Sequence, residues 1–113
     1  MNVQIFGTKK SFDSKKAERY FKERGIKYQF VDMKEKGLSK GEFNSVCQAV
    51  GGYEKLIDPK CKEKNLQALV QYLSEEDKKE KILENQKIIR TPIVRNGKQA
   101  TVGYEPDVWK DWK

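Results

Sequence analysis

The first part of the chain changes from a strand-like to a helix-like pattern of apolar residues. Val3, Ile5 and Phe6 are β-formers and predict a strand over residues 2–6. After a short loop, apolar residues face one side at helical spacing and predict a helix over residues 13–24. The apolar stripe of this helix consists of Ala17, Tyr20 and Phe21.

The ends of this helix have recognisable signals. Asp13 or Ser11 is the predicted N-cap, and Gly25 is the predicted stop. Tyr28 and Phe30 then predict a second strand over residues 27–32. A strand–helix–strand unit of this length implies parallel pairing through a right-handed crossover.

A second helix is predicted from a capping box, in which Ser39 precedes Glu42 by three residues. It runs to about Val50, where two glycines end it. Cys47 lies on its apolar stripe, so we expect a buried core thiol in preference to a reactive one.

The middle of the chain has no strand signal. Residues 53–64 are irregular and contain Pro59, whereas residues 65–72 and 75–85 have helical spacing. Ser74 is the predicted N-cap of the later helix. Because residues 53–86 are too few for a core of their own, we interpret them as a helical insertion within a single domain, 1–113.

The last part predicts a β-hairpin and a short helix. Pro92 marks a strand start, and Asn96-Gly97 predicts a type I′ turn inside the hairpin. A helix begins at Pro106, and two tryptophans beyond it are expected to pack on the sheet.

Composition narrows the class of protein. The 113 residues carry 24 Lys and Arg against 17 Asp and Glu, a net charge of +7, and contain no His. The charges interleave, which is typical of solvated helix faces, and no nucleic-acid-binding module is recognisable. The lack of His excludes His-based metal sites and acid–base catalysis. Two cysteines and no long apolar run predict a cytoplasmic protein without a membrane segment.

The stretch I-F-G-T-K-K-S-F-D-S-K-K-A resembles the start of the arsenate reductase-like family (ArsC/Spx/YffB) of the thioredoxin-like superfamily. Members open with a strand, a loop that holds one cysteine or C-x-x-C, and a helix. The nucleophilic cysteine falls on Ser11, and the second cysteine of C-x-x-C falls on Ser14. The resemblance implies an α/β fold, with a four-stranded mixed sheet flanked by helices and a helical insertion.

The resemblance also assigns candidate site residues. Arg90 lies one position before the place where arsenate reductases of the family commonly carry an arginine, and the alternative is a surface arginine at a strand edge. Apart from the resemblance, Cys61 lies between Lys60 and Lys62, which would lower its pKa, so it could act as a resolving thiol, although an incidental surface cysteine is the favoured interpretation. Thr91-Pro92 matches the cis-proline motif of thioredoxin-like folds. The positions implied in substrate binding are Thr8, Lys9, Lys10, Phe12, Thr91, Pro92 and Gly103.

Several functions follow from the resemblance and stay open. One is thiol-based reduction of arsenate or a disulfide in a bacterial, monomeric protein, with glutathione or glutaredoxin as co-substrate and no bound cofactor. A serine cannot do this chemistry, so this form is expected to be inactive, whether Ser11 is engineered or natural. The alternatives are an Spx-like regulator that binds the C-terminal domain of the RNA polymerase α subunit, or a non-catalytic protein that binds thiols or peptides.

Overall fold

The computed structural model of the chain describes residues 2–58 and 72–112. The predicted break at Pro59, most of the predicted helix over residues 65–72 and the thiol of Cys61 lie outside these residues. Four strands and four α-helices are described: β1 (Val3–Gly7), α1 (Phe12–Glu23), β2 (Tyr28–Asp32), α2 (Lys40–Val50), α3 (Glu75–Glu84), β3 (Ile93–Asn96), β4 (Gln99–Val102) and α4 (Pro106–Trp109). Two 3₁₀ helices, Tyr53–Leu56 and Gln86–Ile88, lie on either side of α3 in sequence.

The strands form one mixed sheet in the order β2-β1-β3-β4. β1 pairs with β2 in parallel, with Val3 opposite Tyr28, and with β3 in the antiparallel sense, with Val3 opposite Asn96. β3 and β4 form an antiparallel hairpin. The predicted four-stranded mixed sheet is therefore confirmed, and so is the parallel first unit.

Both faces of the sheet are covered. Successive residues of a strand point to opposite sides, so β1 contributes side chains to both faces. Val3 and Ile5 pack with α1 and the two tryptophans, both of which are buried as predicted. Phe6 points to the other face, where it joins the buried residues of α2 and α3. β1 is thus one of the two central strands, and its side chains contribute to both cores.

The helix caps match the sequence signals. Ser11 is the N-cap of α1, which settles the choice left open with Asp13. Ser39 and Glu42 form the predicted capping box of α2, and Ser74 caps α3. Among residues 2–58 and 72–112, no helix combines the length and the apolar character that a membrane span requires.

The predicted type I′ turn is wrong. Asn96 is paired with Gln99, so the two-residue loop is Gly97-Lys98. Gly97 has φ +60, whereas no non-glycine residue described has positive φ, which fits a type II′ turn with Gly first. The physical reason is the Asn96 side chain, which accepts a hydrogen bond from Asn2 N at 3.1 Å and donates one to Gln99. These bonds hold Asn96 in the strand.

A close approach between β1 and α1 makes a first prediction. A Cβ atom at Gly7 would lie 2.4 Å from Ser14 Oγ and 2.8 Å from Ser14 Cβ. We expect Gly7→Ala to lower the free energy of unfolding by about 1–3 kcal/mol through overpacking, measured by urea denaturation. Gly41→Ala in α2 is the matched control, since nothing lies within 4 Å of its Cβ position, and it should be neutral or mildly stabilising. Equal stability of Gly7→Ala and the wild type would contradict this packing.

Candidate functional site

The loop after β1 brings Ser11 to the N-terminus of α1. Ser11 N donates to Thr8 O at 3.2 Å, which closes the loop as a tight turn. The Ser11 hydroxyl accepts a hydrogen bond from Ser14 N at 3.2 Å. The side chain at position 11 therefore lies where the free N–H groups and the positive end of the helix dipole favour an anion.

Ser14 has a different environment, although it belongs to the same turn. It is 1% exposed, and its Oγ accepts a hydrogen bond from Thr8 N at 3.3 Å. It also packs against Gly7. Ser14 thus ties the loop to the helix from inside the protein, whereas Ser11 is half-buried and accessible.

The charge around Ser11 is positive. Lys9 and Lys10 precede it and are exposed, and the helix continues with Lys15 and Lys16, which are also exposed. Asp13 in the first turn is the nearest acidic residue in sequence. Such surroundings lower the pKa of a thiol, but a serine hydroxyl needs a general base. Among the described residues, no carboxylate or amine is hydrogen-bonded to the Ser11 hydroxyl.

Thr8 and Thr91 line the same cavity of about 620 Å³. Thr91 precedes Pro92, and the peptide bond between them is cis. The structure therefore brings the loop after β1 close to the Thr91-Pro92 segment. The cavity is completed by charged, amide and apolar residues: Met33, Lys34, Asp58, Glu84, Asn85, Gln86, Lys87 and Ile89.

Sequence reasoning missed this lining. Residues 33–34 and 84–89 are far apart along the chain. Gln86 connects the second of these segments to Leu38, which follows the first. Its amide accepts from Leu38 N at 2.7 Å and donates to Leu38 O at 2.8 Å, which imitates a strand partner for one residue. No local sequence pattern predicts such a contact, because a glutamine after a helix gives the same local signal whether it is bonded or exposed on a free surface.

The remaining predicted residues are distributed over other surfaces. Phe12 is 80% exposed at the first position of α1. Lys9 lines a separate cavity of about 200 Å³ together with Ser14 and Phe30. The lining of the Thr8–Thr91 cavity therefore contains only some of the predicted site residues.

Arg90 does not line the Thr8–Thr91 cavity. Its guanidinium lies over Gly103, where a Cβ atom would be 3.0 Å from Arg90 Nη2, and it borders a different groove beside β4. Gly103 N donates to Pro92 O at 2.8 Å, so Gly103 is connected to the proline segment. The role of Arg90 as an oxyanion ligand stays a prediction.

Cys47 is a core thiol, as its position on the apolar stripe indicated. It is 5% exposed, and burial raises the pKa of its thiol, although the nearby Lys79 lowers it by a smaller amount. A protonated, buried thiol is a poor nucleophile. Over residues 2–58 and 72–112, no group of three or more His, Cys, Asp and Glu residues is arranged to hold a metal ion.

The cap contact makes a second prediction. We expect Ser11→Ala to cost about 1 kcal/mol of stability because Ser14 N loses its acceptor, whereas Ser11→Asp should retain most of it. Asp13→Ala is the comparison, since it removes only a first-turn charge and should cost less, about 0.3–1 kcal/mol. Chemical denaturation of the three variants tests this. A larger loss in Asp13→Ala would mean that Asp13 is the cap.

The Cys47 thiol makes a third prediction, on pH. Its folded pKa is raised, so above about pH 8.5 the unfolded chain loses this proton first and stability falls as pH rises. The loss attributable to Cys47 should approach about 1.4 kcal/mol per pH unit within that window. The measurement is the stability difference between wild type and Cys47→Ala at pH 7 and pH 9.5, which cancels the other titrating groups. A difference that does not change with pH would show that Cys47 ionises equally in both states.

Comparisons with known proteins place the fold. The family model described as ArsC family matches residues 6–112. An ArsC-family-related protein of Bacteroides fragilis superposes with a TM-score of 0.86 at 20% identity, over 100% of this chain and 98% of that one. An arsenate reductase-related protein of Brucella melitensis gives 0.65 at 22% identity, over 99% and 94%.

A further solved structure is more similar in sequence. The arsenate reductase of Vibrio cholerae superposes with a TM-score of 0.79 at 26% identity, over 96% of this chain and 94% of that one. No curated protein shows a significant sequence match. These similarities confirm the α/β fold that the opening motif implied.

Proposed function

Because the chain belongs to the ArsC family, we propose that it is an arsenate reductase-like scaffold that keeps the anion-binding frame of the site and lacks its thiol nucleophile. The observation that carries this proposal is the environment of Ser11. Its hydroxyl caps α1 between backbone N–H donors and exposed lysines, where a cysteine would ionise easily. A serine at this place keeps the cap and loses the chemistry.

The chemistry of the thiol form follows from the electron balance. Reduction of arsenate to arsenite consumes two electrons and releases one oxygen atom as water. A thiolate at position 11 would displace an arsenate oxygen, which leaves as water. A second thiol from glutathione or glutaredoxin would then attack the sulfur of the S–As adduct, and the S–As bond would break with its electron pair leaving on arsenic as arsenite. The two thiols supply the two electrons and end as a disulfide. These co-substrates belong to a reducing compartment, so the cytoplasmic location stays part of the proposal.

A fourth prediction tests the site directly. In a Cys47→Ala, Cys61→Ser background, Ser11→Cys should show a thiolate pKa of about 7 or below, against about 8.5 for a free cysteine. Thiolate absorbance measured against pH gives this value, and arsenite production with glutathione and glutaredoxin gives turnover. The parent chain should give no turnover.

Ser14→Cys is the matched control, because it places the same thiol three residues away in a buried position. It should have a raised pKa and no activity. A pKa near 8.5 or above in Ser11→Cys would show that the site no longer activates sulfur, and the reductase proposal would fail. Binding of the purified C-terminal domain of the RNA polymerase α subunit, without turnover, would then favour the regulator alternative.

A non-catalytic thiol- or peptide-binding function is the second candidate, favoured by the Thr8–Thr91 cavity. Its volume of about 620 Å³ falls in the range of small-ligand sites, and it has both charged and apolar walls. S-methylglutathione is a suitable probe because it cannot form a disulfide. Saturable NMR shifts at Thr8 and Thr91 in the unmodified protein would support this candidate, and their absence at millimolar ligand would remove it.

A further inference from the structure

One long edge of the sheet is formed by β4, which pairs only with β3 among the described strands. Contacts at both ends of the β3–β4 pair show which residues of the two strands are hydrogen-bonded to each other. Asn96 and Gln99 flank the two-residue turn, and Gly103 N donates to Pro92 O at 2.8 Å. Hydrogen-bonded positions alternate along an antiparallel pair, so Gln99, Thr101 and Gly103 direct their backbone groups at β3.

It follows that Ala100 and Val102 direct their N–H and C=O groups away from the sheet. Within residues 2–58 and 72–112, no backbone hydrogen bond beyond the sheet is described for either residue. Both are half-buried, so these groups lie at a partly covered edge. Unpaired edge groups of this kind form a template on which another extended chain can pair.

A groove of about 520 Å³ runs along this edge, with residues 100–102 in its lining. One wall comes from the α2 side of the sheet, where Val50 and Ile57 supply apolar surface. The other wall comes from α4, where Val108 is 42% exposed. Because the walls belong to opposite faces of the sheet, the edge lies between them.

The rim of the groove carries balanced charges. Glu54 and Lys55 border it on one side, and Arg90 and Glu105 border it near Gly103. The guanidinium of Arg90 lies over Gly103, where it packs against the backbone at the end of β4. This contact orients a cation at the end of β4 where a docked chain would pass.

We propose that the groove along β4 binds an extended peptide of a partner protein, which adds to the sheet as a fifth strand. Its backbone pairs with Ala100 and Val102, its side chains pack alternately on Val50 and Ile57 at one face of the sheet and on Val108 at the other, and an acidic residue pairs with Arg90. This is strand addition, in which backbone bonds provide affinity and alternate side chains provide specificity. An acidic segment also suits a chain of net charge +7.

The geometry favours a peptide over a second copy of this chain. In a dimer paired through β4, each copy would bring the same walls beside its own β4. The walls of the two copies would therefore collide before the two recessed strands could pair. Two chains of charge +7 also repel each other. A single extended segment satisfies both constraints. The groove uses none of Ser11, Thr8 or Thr91, so the inference goes beyond the proposed function and does not depend on it.

The fifth prediction uses a capped hexapeptide of alternating threonine and valine with an aspartate at its C-terminal end. Titrated into the ¹⁵N-labelled full chain, it should shift the amides of Ala100, Val102, Ile57 and Val108. The same peptide with alternate amides N-methylated should bind at least about 10-fold more weakly, since it cannot donate to the edge. Replacement of its aspartate by lysine should weaken binding to the wild type more than to Arg90→Gln.

Ala100→Pro is the protein-side test, because it removes an outward N–H and leaves the bonds to β3 in place. It should weaken binding about 10-fold or more, whereas Ala100→Val, which keeps the N–H, should bind as the wild type does. If Ala100→Pro does not fold, the N-methylated peptide decides alone. The proposal is overturned by an absence of shifts at millimolar peptide, by equal binding of the N-methylated peptide, or by shifts centred on Thr8 and Thr91. Concentration-dependent dimerisation that Ala100→Pro abolishes would instead assign the edge to a second copy.

Discussion

The close contact between the end of β1 and the first turn of α1 is the constraint on which the site depends. Gly7 leaves room for the Ser14 side chain, and the Ser14 hydroxyl accepts the backbone N–H of Thr8. These contacts fix the loop, and the loop places Ser11 at the helix N-terminus. The contact needs glycine at position 7, since a Cβ atom there would overlap the Ser14 side chain and push the helix from the strand.

On the proposal that Ser11 stands at the position of a thiol nucleophile, this arrangement would keep the frame of the site without its thiol. Serine and cysteine are similar in shape, and both can accept the N–H groups of a first helical turn. The serine hydroxyl is a strong N-cap, so α1 remains stable when sulfur is absent. On the same proposal, the missing group is the ionisable thiol that the helix dipole and the lysines would stabilise. Fold stability and reactivity thus use the same N–H donors, and only reactivity depends on the atom they face.

The two grooves divide the residues that the family resemblance grouped together. The two segments that contribute to both grooves are joined by an antiparallel bridge between Ile57 and Ile89. Asp58 and Ile89 line the cavity of Thr8 and Thr91, whereas Ile57 and Arg90 line the groove beside β4. Neighbouring residues of an extended segment point to opposite sides, so the side chains of Arg90 and Thr91 lie in different grooves. The physical separation makes independent roles for the two surfaces possible.

Local signals along the chain were enough to define several elements. The period of apolar residues defined β1, α1, β2 and α2, and the caps at Ser39 and Ser74 marked two helix starts, because capping involves residues three positions apart. The parallel pairing of β1 with β2 also followed, since a short strand–helix–strand unit permits few connections. The hairpin turn was misassigned because Asn96 has a long-range partner, at Asn2, as well as Gln99.

The lining of the cavities, the direction of Arg90 and the exposure of the β4 edge came from the tertiary fold alone. Each depends on contacts between segments that are tens of residues apart in the chain. The two hydrogen bonds between the Gln86 amide and the Leu38 backbone are an example, since they fix Gln86, which lines the Thr8–Thr91 cavity, to a residue 48 positions away. A pattern that repeats every two or four residues carries no information about such a pair, because the pair forms only when packing brings the two segments together.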